Sequence, residues 1–136
     1  VQPPRATQAE AVAMVKKAIA QYKRDGAQKT FADIMDLHGG YRSKDLYVWV
    51  TDLNTGFTVA HGVNPRMLGK NLTYIRDADG RAFVLNLQKF ARAGQSGWVD
   101  YKWPNPVSNV IESKTTYVEP LGNLAFCAGV YQPAKP

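Results

Sequence analysis

From Thr7 to Lys23 apolar residues recur at steps of three and four: Ala11, Val12, Val15, Ala18, Ile19 and Tyr22 share one face, with lysines and glutamines opposite. That spacing predicts an amphipathic helix. Thr7 with Glu10 three residues on has the form of a capping box, and Asp25-Gly26 ends the run. A second, shorter helical turn is expected over 30–37, before the breaker His38-Gly39-Gly40. The period then falls to two. Over 46–52, Leu46, Val48 and Val50 alternate with Tyr47, Trp49 and Thr51, which predicts a strand with two unlike faces. Asn54-Thr55-Gly56 turns it into a hairpin with FTVAHG. VNPRMLGKNL is a loop punctuated by Pro65 and Gly69, with room for one helical turn. The helical period returns over 77–94: Phe83, Leu87, Phe90 and Ala91 make the stripe, Asp77 or Asp79 caps the start, and Gly94 ends it. Three strand patterns close the chain, GWVDYKW, VIESKTTYVE and LAFCAGVY, separated by turns at PNP and PLGN.

The last three strands are joined by short turns and so form an antiparallel meander, with which the first hairpin must pair. The expected fold is α+β: a five-stranded antiparallel, PAS-like sheet with a long N-terminal helix and a crossing helix. A chain of 136 residues is long enough for one domain over 1–136, with a core of about 7–131 and tails at 1–6 and 132–136. Hydrophobic content of 45% and 21% charged residues belong to a globular chain. No apolar run approaches the ~18 residues of a membrane span, so no membrane insertion is expected. The chain starts at Val1 with a polar lead-in, as a periplasmic protein does once its signal peptide is removed.

Seventeen basic against eleven acidic residues give a net charge of +6, spread without a block of like charges. Diffuse charge of this kind reads as a solvated surface, not a nucleic-acid footprint. Lys102 within Tyr101-Lys102-Trp103 keeps a single-stranded nucleic-acid binder as an alternative. A strand, however, puts that lysine on the face opposite the two aromatics. Cys127, the lone cysteine, sits in an apolar run and reads as a small buried hydrophobe. His38 and His61 have no carboxylate or cysteine at metal-ligand spacing, and the chain lacks H-E-x-x-H, G-x-S-x-G and P-loop motifs. The expectation is a protein that is not an enzyme and carries no cofactor, with haem or metal binding through His61 as a second alternative.

The remaining constellation is a set of polar-tipped aromatics on several strands. Tyr47 and Trp49 share one face of the first strand, and Tyr101 and Trp103 one face of the third. Lys114 lies inside the fourth, with Tyr117 three residues on, and Tyr131 closes the fifth. Buried tyrosines and tryptophans need partners for their O–H and N–H groups, and a lysine among them needs an anion. Two readings stand on spacing alone. In one, Lys114 is solvated and the aromatics bond to backbone carbonyls; in the other, they wall a site for an acceptor-rich guest.

The blocks LYVWVTDLNTGFTVAH, NPRMLGKNL, DADGRAFVLNLQKFARAGQSGWVDYKWPNP, SKTTYVEPLG and AGVY resemble, in this order, those of single-Cache domains of the second type, over about residues 10–131. The resemblance implies an extracytoplasmic sensing module that binds a small organic acid, commonly a short carboxylate, in a pocket on the sheet. It implies pocket residues Tyr47, Trp49 and His61 from the first hairpin, Met67, Leu68 and Asn71 from the loop, Tyr101 and Trp103 from the third strand, and Lys114 and Tyr117 from the fourth. Lys114 would supply charge, Tyr101 and Tyr47 hydroxyl donors, and Trp49, Trp103 and Met67 the apolar wall. In an ideal strand Lys114 and Tyr117 point to opposite faces, so both reach one ligand only through a bulge or strong twist. Lys114 is the one that offers charge. An acid of about six heavy atoms, at no more than ~1.5 kcal/mol each, reaches micromolar binding or somewhat better only in a small closed pocket. A signalling partner protein and a monomer or weak homodimer complete the expectation.

Overall fold

The computed structural model describes residues 4–132. Its elements are α1 (Gln8–Asp25), α2 (Ala27–Met35), β1 (Arg42–Ser43), β2 (Leu46–Asp52), β3 (Thr58–His61), a 3-10 turn (Pro65–Met67), α3 (Phe83–Arg92), β4 (Gly97–Pro104), β5 (Ile111–Leu121) and β6 (Leu124–Gln132). The capping box forms: Glu10 N donates to Thr7 Oγ1 at 3.2 Å, and Thr7 N donates to Glu10 Oε1 at 2.9 Å. Gly26, at φ +85, ends α1 and opens α2 at once. That shared hinge explains why α2 begins three residues earlier than its apolar spacing suggests.

The sheet runs β1-β2-β6-β5-β4, antiparallel throughout, with β3 also on β2. It has six strands instead of five. The extra one is β1, paired Arg42 to Tyr47 and Ser43 to Leu46 across a reversal at Lys44, which sits at φ 58. Two residues are too few to leave a period-two signature.

Each face of the sheet has its own cover. On one, Val15, Ala18 and Ile34 of α1 and α2 pack against Val48, Val50, Phe126 and Ala128. On the other, Val84, Leu87 and Ala91 of α3 pack against Trp49, Val99, Val118 and Cys127. This double cover is why β2 is buried from Leu46 through Thr51. Cys127 lies in the second layer, where burial pushes its thiol pKa up and keeps it protonated.

The start of α3 departs from expectation. Its N-cap is Ala82, with no side-chain cap, and neither Asp77 nor Asp79 fills that place. Asp77 instead accepts from the amides of Asp79 (3.0 Å), Arg81 (2.8 Å) and Lys102 (2.8 Å), stapling the loop before α3 onto β4. The lead-in to α1 is fastened as well. Arg5 makes a two-pronged pair with Glu112 at 2.8 and 2.9 Å, and Ala6 N donates to buried Asp45 at 2.9 Å. The expected tail beyond Gln132 lies outside the described residues.

Candidate functional site

Register builds the site. Lys114 on β5 stands between Tyr101 on β4 and Tyr131 on β6, so the three side chains rise side by side on the α3 face. Tyr47 comes in from β2. Lys114 is 3% exposed, and its Nζ donates to Tyr47 Oη at 2.9 Å. The ammonium lies 4.4 Å from the Tyr47 ring centre, 4.8 Å from that of Tyr131 and 5.8 Å from that of Tyr101. Among the described residues, no carboxylate lies within ion-pair distance of it. Ring faces offset up to about 2 kcal/mol each when desolvated, well short of what burying an ammonium costs. The Lys114 charge is therefore only partly compensated by the groups around it.

Gly129 makes room for this arrangement. A Cβ there would come within 2.6 Å of Lys114 Cε and 2.3 Å of Thr116 Oγ1. Only a bare backbone lets the lysine stem lie across β6.

The tyrosine hydroxyls have distinct roles. Tyr47 accepts from Lys114, which leaves its own proton for another acceptor; Tyr131 Oη is its neighbour at 3.5 Å. Tyr131 donates onward to the Pro104 carbonyl at 3.0 Å. Tyr101 shares a hydrogen bond with Thr116 Oγ1 at 2.8 Å. Burial raises the pKa of Tyr101 and Tyr131, so both stay neutral phenols beside the cation.

His61 stands opposite Trp49, with its ring 5.1 Å from that of Tyr47. Its Nδ1 accepts from the amides of Val63 (3.3 Å) and Asn64 (3.0 Å), which puts the proton on Nε2. Burial, and secondarily the Lys114 charge, lower its pKa to about 3. At neutral pH it is an uncharged N–H donor.

Six of the ten residues expected at the site line one chamber: Tyr47, Trp49, His61, Met67, Tyr101 and Trp103. Lys114 is not among the lining residues; its Nζ reaches the chamber through the Tyr47 hydroxyl, and the lysine lines a separate cavity with Arg81 and Asp100. Phe83 closes a wall, stacked on Tyr101 at 4.0 Å with the rings 7° apart. The chamber leaves about 20 Å³ for the centre of a water-sized sphere. One water takes ~10–15 Å³ on that measure, so an organic acid enters only if the walls part.

Three expected residues are elsewhere. Tyr117 faces α1, donates to Glu119 Oε1 at 2.5 Å and packs on Trp98; β5 keeps its alternation there, so no bulge turns it toward Lys114. Asn71 is exposed, its Oδ1 accepting from Thr73 N at 3.0 Å. Leu68 is half-buried outside the chamber, and Leu72 takes the lining place. Phe83, Val84, Leu72 and Gly129 were not foreseen. Phe83 carried a signal only as part of a helix stripe, while Gly129 and Tyr131 lay in the closing AGVY block.

The alternatives fare differently at this site. The ring face of Tyr101 is covered by Phe83, and Lys102 Nζ lies 3.4 Å from Asp79, so Tyr101-Lys102-Trp103 offers no stacking platform. Among the described residues, no group of three His, Cys, Asp or Glu side chains could hold a metal ion. No described helix is long and apolar enough to cross a membrane.

Known proteins share both sequence and fold with this chain. It is 35% identical over 75 residues to the methyl-accepting chemotaxis protein McpP of Pseudomonas putida, a match spanning 55% of this chain and 14% of that receptor. A periplasmic sensor domain of a chemotaxis protein superposes with a TM-score of 0.70 at 27% identity, over 92% of this chain and 90% of that one. A Cache chemosensory domain described for its carboxylic acid recognition does so with a TM-score of 0.68 at 24% identity, over 92% and 88%. The profile of Single Cache domain 2 matches residues 1–129, and the chain belongs to that family of sensor domains.

Proposed function

We propose that this chain captures a short organic acid, with the carboxylate received by Tyr47 and Lys114. The observation that carries the proposal is the buried Lys114 ammonium, hydrogen-bonded to Tyr47 and without a carboxylate in reach among the described residues. The ligand's oxygens would take the Tyr47 proton, polarised by Lys114 behind it, and the Nε2 proton of neutral His61. Its carbon end would lie against Trp49, Met67 and Trp103. All the polar tips there are neutral or cationic, which favours an anion over a neutral guest or an amine. The carboxylic acid recognition described for the Cache neighbour supports the same class of ligand. As a sensor domain, the chain would report occupancy to a signalling partner on the periplasmic side of a membrane.

Thermal unfolding with acetate, propionate, pyruvate and lactate tests this. The wild type should be stabilised by at least one of them, by RT ln(1 + [L]/Kd), about 2.7 kcal/mol at a hundredfold excess over Kd. Lys114→Ala should unfold cooperatively and lose the response. No stabilisation by any acid would sink the proposal, and an unchanged response in Lys114→Ala would remove Lys114 from the site.

A further inference from the structure

The inner chamber opens onto a second, larger one. Its volume is about 560 Å³, and it shares Tyr47, His61, Met67 and Trp103 with the first. The two therefore adjoin, with those four residues common to both. At the outer end stands Arg42. Because β1 pairs Arg42 with Tyr47, both side chains rise on the same face of the sheet. Among the described residues, no carboxylate lies within ion-pair distance of the Arg42 guanidinium.

The nearby carboxylates are already engaged. Glu112 is held by Arg5 and by Asn105 Nδ2, and Asp45 by Ala6 N and the same Asn105 amide. Two of the three amide oxygens lining the outer chamber are engaged too. Asn64 Oδ1 accepts from Arg66 N at 3.1 Å, and Asn105 Oδ1 from Val107 N at 2.9 Å. The polar capacity left facing the outer chamber is thus mostly donor: the planar fork of Arg42 and the amide NH₂ of Asn64, with the Asn109 amide offering one acceptor beside its own NH₂. Between the Tyr47 hydroxyl, which Lys114 backs, and Arg42 the path is walled by Met67, Trp103 and Val63. A guest that satisfies the whole path has an acceptor at each end and a short carbon link between them.

We infer that the outer chamber is a second anion subsite, so that the preferred ligand is a short acid with two anionic ends. One end would meet Tyr47 and Lys114, the other Arg42. This rests on the carboxylate reading of the inner chamber and narrows it to a class. Arg42 can meet a carboxylate with two parallel N–H bonds, which a monocarboxylate seated inside cannot use.

Calorimetric titration of length-matched pairs decides it: propionate with malonate, butyrate with succinate, and pentanoate with glutarate, on wild type and Arg42→Gln. Expected is one diacid binding the wild type about tenfold or more tighter than its matched monoacid. Arg42→Gln should erase that advantage and leave monoacid affinity within about twofold. Monoacids binding as well as diacids throughout would overturn the outer subsite and leave the inner one standing. An equal loss for both acids in Arg42→Gln would also overturn it, since Arg42 would then act on the inner site. Failure of every acid to bind would overturn the inner and outer readings together.

Discussion

The two faces of the sheet are made by alternate residues of the same strands, yet they close in different ways. Under α1 and α2 the strands present Val48, Val50, Phe126 and Ala128, and the buried polar residues of that layer, Gln21 and Thr30, are uncharged and come from the helices. Under and beside α3 they present Tyr47, Trp49, Tyr101, Lys114 and Tyr131, and the layer keeps a charge and several hydroxyls inside. A hydrocarbon layer holds the sheet together. The other layer carries polar groups whose burial is costly unless a guest completes them. An apolar layer and a polar-tipped one are thus built from alternate residues of the same strands.

The sharpest way to break this comparison is one large substitution on each face. Phe126→Ala should cost about 3–5 kcal/mol in urea unfolding, the usual loss for a buried phenylalanine, while acid affinity of the folded protein stays near wild type. Lys114→Met should do the reverse: unfolding stability equal to or above wild type, and no response to acid, because an apolar chain of similar length replaces an uncompensated charge. A strongly destabilised Lys114→Met, or a Phe126→Ala that binds acid poorly when folded, would mean that the faces are not independent. Gly129→Val comes next. Its side chain would occupy the lysine stem's space, so a loss of about 1–3 kcal/mol from overpacking should accompany a lost acid response.

How much of this was legible in the chain depends on the kind of signal. The helices and long strands follow from periodicity, and Tyr47, Trp49, Tyr101 and Trp103 share a face because period two demands it. Lys114 stood out as a charge inside a strand. What stayed hidden was set by pairing across strands. That Lys114 falls between Tyr101 and Tyr131, or Arg42 beside Tyr47, depends on register, which one strand read alone does not contain. Asp77 misled for a related reason. Its spacing suited a helix cap, but a four-residue turn and β4 took its oxygens first. Tyr117 had the right residue type on the wrong parity, and strand alternation was the more reliable guide.

A medium-sized effect separates the faces by pH. Unfolded histidine takes a proton near its ordinary value of 6.5, whereas His61 in the folded chain does so only near 3. Below 6.5 the unfolded state therefore binds the extra proton, and stability falls as pH drops toward 3, by up to about 1.4 kcal/mol per pH unit. Glu112 and Glu119, both held below their ordinary 4.5, lose their stabilising charge only at lower pH. Denaturant unfolding between pH 6.5 and 4.5 should show this slope in wild type and a flatter one in His61→Gln. Identical slopes would mean that the His61 ring can charge in the folded state.

The smallest expected effect tests Tyr117, the residue that parity moved to the other face. Its hydroxyl donates to Glu119, which also receives Lys16 at 2.9 Å near the surface of α1. Tyr117→Phe removes one hydrogen bond to a carboxylate that keeps a lysine and water as partners. The cost in stability should stay at or below about 1 kcal/mol. Acid affinity should not change, because the ring lies on the far side of the β5 backbone from Lys114. A drop of several-fold in acid affinity for this variant, with stability nearly intact, would show that occupancy is felt through the sheet to α1. The two faces would then be coupled, and the α1 layer would be the route by which a bound acid is reported.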